Sequence, residues 1–161
     1  HLDALAAGLT EPSKVRLLVA RTGGIRVDAR PLAEGARREP VRVGLARGPV
    51  SSADVFLFHK TTRRAAYDMA RAGRPDCDDV ILFNERGELT ESSAANLVVF
   101  QQGRAWTPPV SAGLLAGTLR AELLASGDIT ERTLTAADLA RAERLELINS
   151  VRSRQRAVLI D

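Results

Sequence analysis

Residues 89–97 read Leu-Thr-Glu-Ser-Ser-Ala-Ala-Asn-Leu and place one acid, Glu91, and one amide, Asn96, among small side chains. Apolar runs at 80–84 and 96–100 flank this stretch and predict two strands with a turn of small residues between them. Small side chains allow a planar ligand to approach the backbone, so the stretch is a candidate binding segment. A glutamate in a serine-rich turn is, however, more often a cap or a solvated side chain.

A lysine precedes this stretch in an unusual position. Residues 55–58 form an apolar run and residues 61–72 form a predicted helix, so the sequence predicts that Lys60 lies at a strand-to-helix junction. Lys60 is one of two lysines in a chain that otherwise carries arginine. Arginine stays protonated, whereas a partly desolvated lysine can lose its proton and attack a carbonyl carbon. A solvated lysine at a helix start is an equally good interpretation on these grounds alone.

A third candidate segment, residues 113–120, reads Gly-Leu-Leu-Ala-Gly-Thr-Leu-Arg and leads from a Pro-Pro turn into a helix predicted over 117–125. The backbone amides of Thr118 and Leu119 would lie at the positive end of that helix, where a phosphate binds favourably. The segment lacks the Gly-Lys-Ser/Thr ending of a P-loop. A glycine pair before a helix is a weak signal by itself.

The rest of the chain predicts mixed strands and helices without a strict βαβ repeat. This pattern favours an α+β fold or a barrel-like α/β lobe over a doubly wound sheet. A Gly-Pro break at 48–52 separates a predicted small N-terminal lobe, residues 1–50, from a larger C-terminal lobe, residues 51–161. The other predicted strands are at 15–21, 25–32, 41–46, 104–107, 130–134, 145–148 and 157–160, with a loop at 31–40. The other predicted helical segments are a helix end at 2–8 and a helix at 136–142. In the helix predicted at 61–72, Ala65, Met69 and Ala72 lie on one face.

The composition is that of an ordinary globular protein, with 45% hydrophobic and 27% charged residues in a chain of 161. The net charge of +3 comes from arginines dispersed among acids, so the sequence has no basic arm for nucleic acid. No apolar run approaches the roughly 20 residues that span a bilayer, and the N-terminus lacks a secretion signal. A single cysteine, Cys77, cannot form an internal disulfide. We therefore expect a cytoplasmic protein that binds neither membrane nor nucleic acid.

Four segments, in this order, resemble the signature of fold-type IV pyridoxal-phosphate enzymes, the class IV aminotransferase family. They are the lysine, the Thr-Glu-Ser-Ser-Ala-Ala-Asn-Leu stretch, the Thr-Pro-Pro at 107–109 and the Gly-Leu-Leu-Ala-Gly-Thr-Leu-Arg segment. Within the family, His-Lys-Thr-Thr at 59–62, Leu-Ala-Gly-Thr at 115–118 and Ile-Asn-Ser-Val-Arg at 148–152 look most like 4-amino-4-deoxychorismate lyase domains. Such domains are often fused behind a chorismate-using synthase component. The resemblance covers residues from about 15 to about 159.

The resemblance implies pyridoxal 5'-phosphate as the cofactor and implies no metal. Lys60 would form the Schiff base with the cofactor and then transfer protons, and Glu91 would pair with the pyridine nitrogen. The amides of Thr118 and Leu119, with the Thr118 hydroxyl, would bind the phosphate, and Arg152 would meet a substrate carboxylate. The weaker candidates for cofactor binding are Arg64, Asn149 and Ser150.

By the same resemblance, the reaction would be release of pyruvate from 4-amino-4-deoxychorismate, which leaves 4-aminobenzoate for folate biosynthesis. A class IV aminotransferase acting on branched-chain or D-amino acids would use the same lysine, acid and phosphate site, so these residues do not separate the two reactions. A third interpretation is an inactive remnant, because the family's opening strand and helix, which supply a phosphate-binding arginine, are not recognisable in this sequence. Family members pair as homodimers, so the resemblance also predicts a homodimer.

Overall fold

The computed structural model describes residues 2–32 and 39–161 of the chain. The chain divides into two compact units, one that ends at residue 38 and one that begins at residue 39. This division lies earlier in the chain than the lobe boundary predicted after residue 50. The reason is that the strand Val41–Leu45 is hydrogen-bonded between two strands of the second unit.

The first unit contains a short helix and a β-hairpin. Helix α1 (Leu2–Ala7) precedes strands β1 (Ser13–Val19) and β2 (Ile25–Pro31), which pair in antiparallel fashion. The turn between the strands contains Gly23, whose φ of 84° lies in the left-handed region that favours glycine. The hairpin confirms the prediction from the sequence, while most of the loop predicted at 31–40 lies outside the described residues.

The second unit is built around a barrel-like sheet. Its strands are ordered β5, β4, β3, β10, β9, β6, β7 and β8, and an additional pairing joins β5 to β6 where Glu91 lies opposite Asn96. The strands β5, β4, β3, β10, β9 and β6 therefore close into a barrel, which confirms the predicted barrel-like architecture. The bounds of the strands are β3 Val41–Leu45, β4 Asp79–Phe83, β5 Leu89–Ser92, β6 Asn96–Gln101, β7 Arg104–Thr107, β8 Thr130–Glu131, β9 Arg144–Asn149 and β10 Ser153–Leu159.

The helical elements of the second unit lie in the connections between strands. They are α2 (Ala65–Ala72), α3 (Thr118–Ala125), α4 (Ala136–Ala140) and the 3-10 turns Val55–Leu57 and Val110–Ala112. Within the two described ranges of the chain, every helix is too short or too polar to cross a membrane.

Strand β6 is buried on both faces because the barrel core lies on one side and α3 lies on the other. Leu97 and Val99 belong to the aliphatic cluster inside the barrel. Val98, which points the opposite way along the strand, packs in a separate cluster with Leu123 of α3. Helix α3 is thereby packed against β6.

Helix α2 covers the outer surface of β4 with a face that was not predicted from the sequence. Tyr67 is the buried residue of this helix, and it packs with Ala66 and Ala70 in a cluster on β4. Met69 is 70% exposed. The exposed surface of α2 thus carries the residues that were predicted to share a face, Ala65, Met69 and Ala72.

The segment before Lys60 is a 3-10 turn, and the strand predicted there is wrong. The Asp54 carboxylate accepts a backbone hydrogen bond of 3.0 Å at the start of the turn Val55–Leu57, and of its residues only Leu57 is buried. Helix α2 then begins at Ala65, later than predicted. Lys60 therefore lies in an irregular segment between a turn and a helix, and a junction of strand and helix is not formed.

Two valines on neighbouring strands test this description of the core. Val43 on β3 is fully buried, whereas Val158 on β10 is 41% exposed. Val43→Ala should lower the free energy of unfolding by roughly 2 kcal/mol, because two methyl groups are lost from a packed interior. Val158→Ala makes the same chemical change at the surface and should cost at most about 0.5 kcal/mol. Denaturant unfolding of both variants measures the difference, and equal losses would contradict the core assignment.

Candidate active site

Glu91 is a buried acid located where β5 and β6 meet to close the barrel. Its residue is only 5% exposed, and its carboxylate accepts three hydrogen bonds from the described residues. The Tyr67 hydroxyl donates to Oε1 at 2.7 Å, and the Leu115 backbone amide donates to the same oxygen at 3.0 Å. The Asn96 side-chain amide donates to Oε2 at 3.0 Å. The carboxylate plane is therefore fixed from three different segments of the chain.

The surroundings of Glu91 bring its ionisation close to neutral pH. Burial is the largest effect and raises the pKa of Glu91 from its ordinary value of 4.5 to about 7. The hydrogen bonds from Leu115 and Tyr67, and the positive charges of Lys60 and Arg64, act in the opposite direction and limit this rise in pKa. Glu91 can thus change its charge in the pH range in which enzymes commonly operate.

Lys60 acts electrostatically on this acid. Lys60 is exposed, and its positive charge is close enough to lower the pKa of Glu91. Lys60 and Glu91, both predicted as site residues from the sequence, are thus within electrostatic reach of each other.

The start of α2 is attached to the turn between β5 and β6. Nη2 of Arg64 donates a hydrogen bond to the Ser93 carbonyl oxygen, and the Arg64 guanidinium lies 4.7 Å from the centre of the Tyr67 ring. Burial and the negative charge of Glu91 raise the pKa of Tyr67 well above its usual range, so its hydroxyl stays protonated. Arg64 therefore positions the segment that follows Lys60.

The loop before α3 is held against Glu91 by Asn96. The Asn96 side-chain amide donates to the Leu115 carbonyl oxygen at 2.8 Å as well as to Glu91. A side chain on Gly117 would overlap Asn96 Oδ1. The second glycine of the Gly-Leu-Leu-Ala-Gly segment is thus required by the close approach of the loop to this amide.

Helix α3 begins at Thr118, next to the turn between β9 and β10. Gly117 is the N-cap, and the first amides of an α-helix have no acceptor within the helix. The Thr118 hydroxyl is hydrogen-bonded to the Ser150 hydroxyl, and both residues are exposed. Leu119 is half-buried beside them. The predicted phosphate-binding amides and Ser150 therefore lie together.

The turn between β9 and β10 is organised by Asn149. Its Oδ1 accepts hydrogen bonds from the backbone amides of Val151 at 3.0 Å and Arg152 at 2.8 Å. Its Nδ2 donates to the Ala94 carbonyl oxygen at 3.2 Å. The turn is thereby joined to the one between β5 and β6, and it brings the half-buried Arg152 to the same end of the barrel.

Hydrogen bonds thus join the segments that carry five of the predicted site residues, Arg64, Glu91, Thr118, Asn149 and Ser150, whereas two surface depressions lie elsewhere. A depression of about 330 Å³ lies beside α2 and includes Met69 and Ala70. Another, of about 400 Å³, lies around Arg132 and Glu143. Neither contains a lysine, a buried acid and a helix start. The chemistry of the joined residues, and neither depression, therefore identifies the candidate site.

Two side chains that position Glu91 were not identified as site residues from the sequence. Asn96 was noted only as an amide near the acid, and Tyr67 was not singled out. Tyr67 is the sole tyrosine of the chain, and it follows Lys60 within the helix segment. Its position as a lone tyrosine after Lys60 was the one clue in the sequence, because the Tyr67 hydroxyl and its acceptor Glu91 lie on α2 and β5, which only the fold brings together.

Known proteins share both the sequence and the architecture of this chain. The profile of amino-transferase class IV matches residues 2–160. A Schizosaccharomyces pombe protein provisionally named an aminodeoxychorismate lyase is 31% identical over 159 residues, which cover 94% of this chain and 68% of that protein.

Solved structures agree with this match. A Mesorhizobium loti protein provisionally named an amino-acid aminotransferase superposes with a TM-score of 0.88 at 36% identity, over 99% of this chain and 78% of its own. A Mycobacterium tuberculosis protein described as a hypothetical aminotransferase, solved in a pyridoxal-phosphate-bound form, superposes with a TM-score of 0.78 at 26% identity, over 97% of this chain and 63% of its own. This chain therefore belongs to the class IV aminotransferase family of pyridoxal-phosphate-dependent enzymes and has the fold-type IV architecture.

Proposed function

We propose that this chain is a pyridoxal-phosphate enzyme that uses Lys60 and acts as a 4-amino-4-deoxychorismate lyase. The observation that supports the cofactor assignment most directly is the exposed Lys60 within electrostatic reach of the buried Glu91, whose carboxylate is hydrogen-bonded to the loop before α3. A buried acid whose pKa is raised to about 7, and which interacts electrostatically with a primary amine, is typical of a functional site.

The donors and acceptors at this end of the barrel fit the cofactor. Among the described residues, Oε1 of Glu91 accepts two hydrogen bonds and Oε2 accepts one, so Oε2 retains capacity to accept a hydrogen bond from a protonated ring nitrogen. The exposed start of α3 offers the amides of Thr118 and Leu119, and the hydroxyls of Thr118 and Ser150, to a phosphate.

In the proposed mechanism, this chain supplies attachment, orientation and proton transfer. When bound, pyridoxal phosphate withdraws electrons from the amino-bearing carbon of the substrate. Lys60 would hold the cofactor through its Nζ and, once free, would accept the ring proton of the substrate and return a proton to the departing pyruvate. Glu91 would keep a proton at the ring nitrogen. Arg152 would hold a substrate carboxylate, and Arg64 and Asn149 would fix the two turns that border the site.

Two reactions are supported by different relatives. The name of the yeast relative, 31% identical, favours the lyase, as do the segments at 59–62, 115–118 and 148–152. The name of the Mesorhizobium loti relative, 36% identical, favours an amino-acid aminotransferase as the second candidate. An inactive remnant is the third, and cofactor binding separates it from both. We further propose a cytoplasmic homodimer, which can also occur as part of a fusion with a chorismate-using synthase component in the folate pathway.

Attachment of the cofactor to Lys60 is testable by absorbance. The intact protein incubated with pyridoxal phosphate should show the visible-region band of a lysine-linked cofactor, and Lys60→Ala should abolish that band, because only a primary amine forms the linkage. Lys14→Ala removes the other lysine, on β1, and should leave the band unchanged. A band that persists in Lys60→Ala, or is absent from the wild-type protein, would contradict the cofactor assignment.

The reaction is testable by product analysis. The wild-type protein loaded with pyridoxal phosphate should release pyruvate and 4-aminobenzoate from 4-amino-4-deoxychorismate, and it should transfer amino groups from D-alanine, glutamate or leucine at least tenfold more slowly. A coupled assay for pyruvate and a keto-acid assay measure the two rates. Faster amino transfer would replace the lyase by the second candidate.

The raised pKa of Glu91 predicts a pH-dependent stability of the cofactor-free protein. Between pH 4.5 and about 7 the folded state holds a proton that the unfolded chain has released, so stability falls as the pH rises through this window. The loss amounts to about 3 kcal/mol and is complete above about pH 7.

Glu91→Gln removes the titrating carboxyl and should therefore abolish that fall in stability between pH 4.5 and about 7. Glu122→Gln, which removes an exposed carboxyl from α3, is the matched control and should retain it. Thermal unfolding at a series of pH values measures the effect. The same slope in Glu91→Gln as in the wild-type protein would show that another group is responsible.

A further inference from the structure

We propose that Tyr67 is a positioning residue that fixes the orientation of the Glu91 carboxylate and controls how readily that carboxylate takes up a proton. The effect of this role on catalysis rests on the proposed function, whereas the hydrogen bond between Tyr67 and Glu91 is present in the protein without cofactor. It adds to the site a residue that never needs to touch cofactor or substrate.

The Tyr67 hydroxyl has a defined place and a defined partner. The residue is 7% exposed, and its ring packs with Leu57, Val80 and Leu82. The hydroxyl lies 2.7 Å from Glu91 Oε1. Since the ring is fixed by the packing against β4, the hydroxyl cannot follow the carboxylate if that group rotates. The ring therefore sets where Oε1 lies.

The packing of the ring alone does not require a hydroxyl, because a phenylalanine would fill the same space. A phenol in this cluster has a polar atom whose burial is unfavourable unless it is hydrogen-bonded. A hydrogen bond from a neutral donor to an ionised carboxylate is stronger than one between neutral groups, and it favours the charged form of the acceptor. The Tyr67 hydroxyl thus partly offsets the burial of the Glu91 charge.

The three hydrogen bonds to Glu91 are divided unequally between its two carboxylate oxygens, and the Tyr67 bond helps to decide which oxygen can accept a further one. Tyr67 and the Leu115 amide both donate to Oε1, while Asn96 alone among the described residues donates to Oε2. Without the Tyr67 hydrogen bond, Oε1 would have the same remaining capacity as Oε2 to accept a hydrogen bond or a proton. With Tyr67 in place, Oε2 is the oxygen with remaining capacity.

The charged groups around this pair act alongside the Tyr67 bond. Lys60 and Arg64 favour the ionised form of Glu91, and Asp54 lies near enough to Tyr67 to oppose ionisation of the phenol. None of these groups changes when only the acidity of the Tyr67 hydroxyl is altered. Altering that acidity is therefore a specific test of the bond.

The chain contains a single tyrosine, so biosynthetic incorporation of 3-fluorotyrosine changes Tyr67 alone. Fluorine makes the phenol more acidic and a stronger donor while the ring keeps its place. Carbon-13 NMR of labelled glutamate carboxyls in the intact, cofactor-free protein then gives the midpoint of the Glu91 titration, assigned by its loss in Glu91→Gln. We expect the midpoint to fall with 3-fluorotyrosine and to rise by about one pH unit in Tyr67→Phe.

Thr107→Val is the control for loss of a buried hydroxyl, because Thr107 is fully buried and donates to the Leu97 carbonyl oxygen at 2.8 Å, away from Glu91. It should leave the Glu91 midpoint unchanged. If Tyr67→Phe folds and the midpoint does not move, the proposal is overturned. If that variant does not fold, the fluorotyrosine protein decides: a lowered midpoint supports the proposal and an unchanged one overturns it. Absence of a lysine-linked cofactor band would refute the proposed function and leave this measurement unaffected.

Discussion

The hydrogen-bonded burial of the Glu91 carboxylate is the constraint on which the rest of the site depends. Removing a charged carboxylate from water is strongly unfavourable unless hydrogen-bond donors replace the lost hydration. Here the donors come from α2, from the loop before α3 and from the neighbouring strand β6. Each of these segments must therefore adopt its observed position for the acid to remain buried, and each also carries or borders a residue of the candidate site.

The barrel supplies the precision that this arrangement needs. Glu91 and Asn96 are the pair through which β5 and β6 close the sheet, so the acid lies on a strand that is paired on both sides. Lys60, Thr118 and Ser150 are exposed and lie on an irregular segment, a helix start and a turn. The unit thus combines one rigid, buried group with several accessible ones, which suits a site that binds a ligand and transfers protons.

The sequence was informative wherever a local pattern carried the signal. The hairpins and the start of α3 follow from residue spacing and turn residues, and the structure agrees with them. The stretch around Glu91 was predicted as a turn between two strands, and that was wrong, because Leu89–Ser92 forms strand β5 by pairing with β4 and β6. The strand predicted at 55–58 was wrong because a capping aspartate and a short apolar run also suit a 3-10 turn. The buried face of α2 was not identified, and Tyr67 was missed, because both depend on which surface of β4 the helix meets, which is a contact between distant parts of the chain.

The pairing of β3 with β10 has a consequence for how the molecule is made. These are the first and last strands of the barrel along the chain, and they lie side by side in parallel. During synthesis, the edge of β3 that pairs with β10 stays unpaired until nearly the whole of the second unit has left the ribosome. Contacts between such distant segments form slowly, and unpaired edges invite wrong partners. Completion of the barrel therefore belongs to the last stage of folding, and a nascent chain is most vulnerable to aggregation just before it.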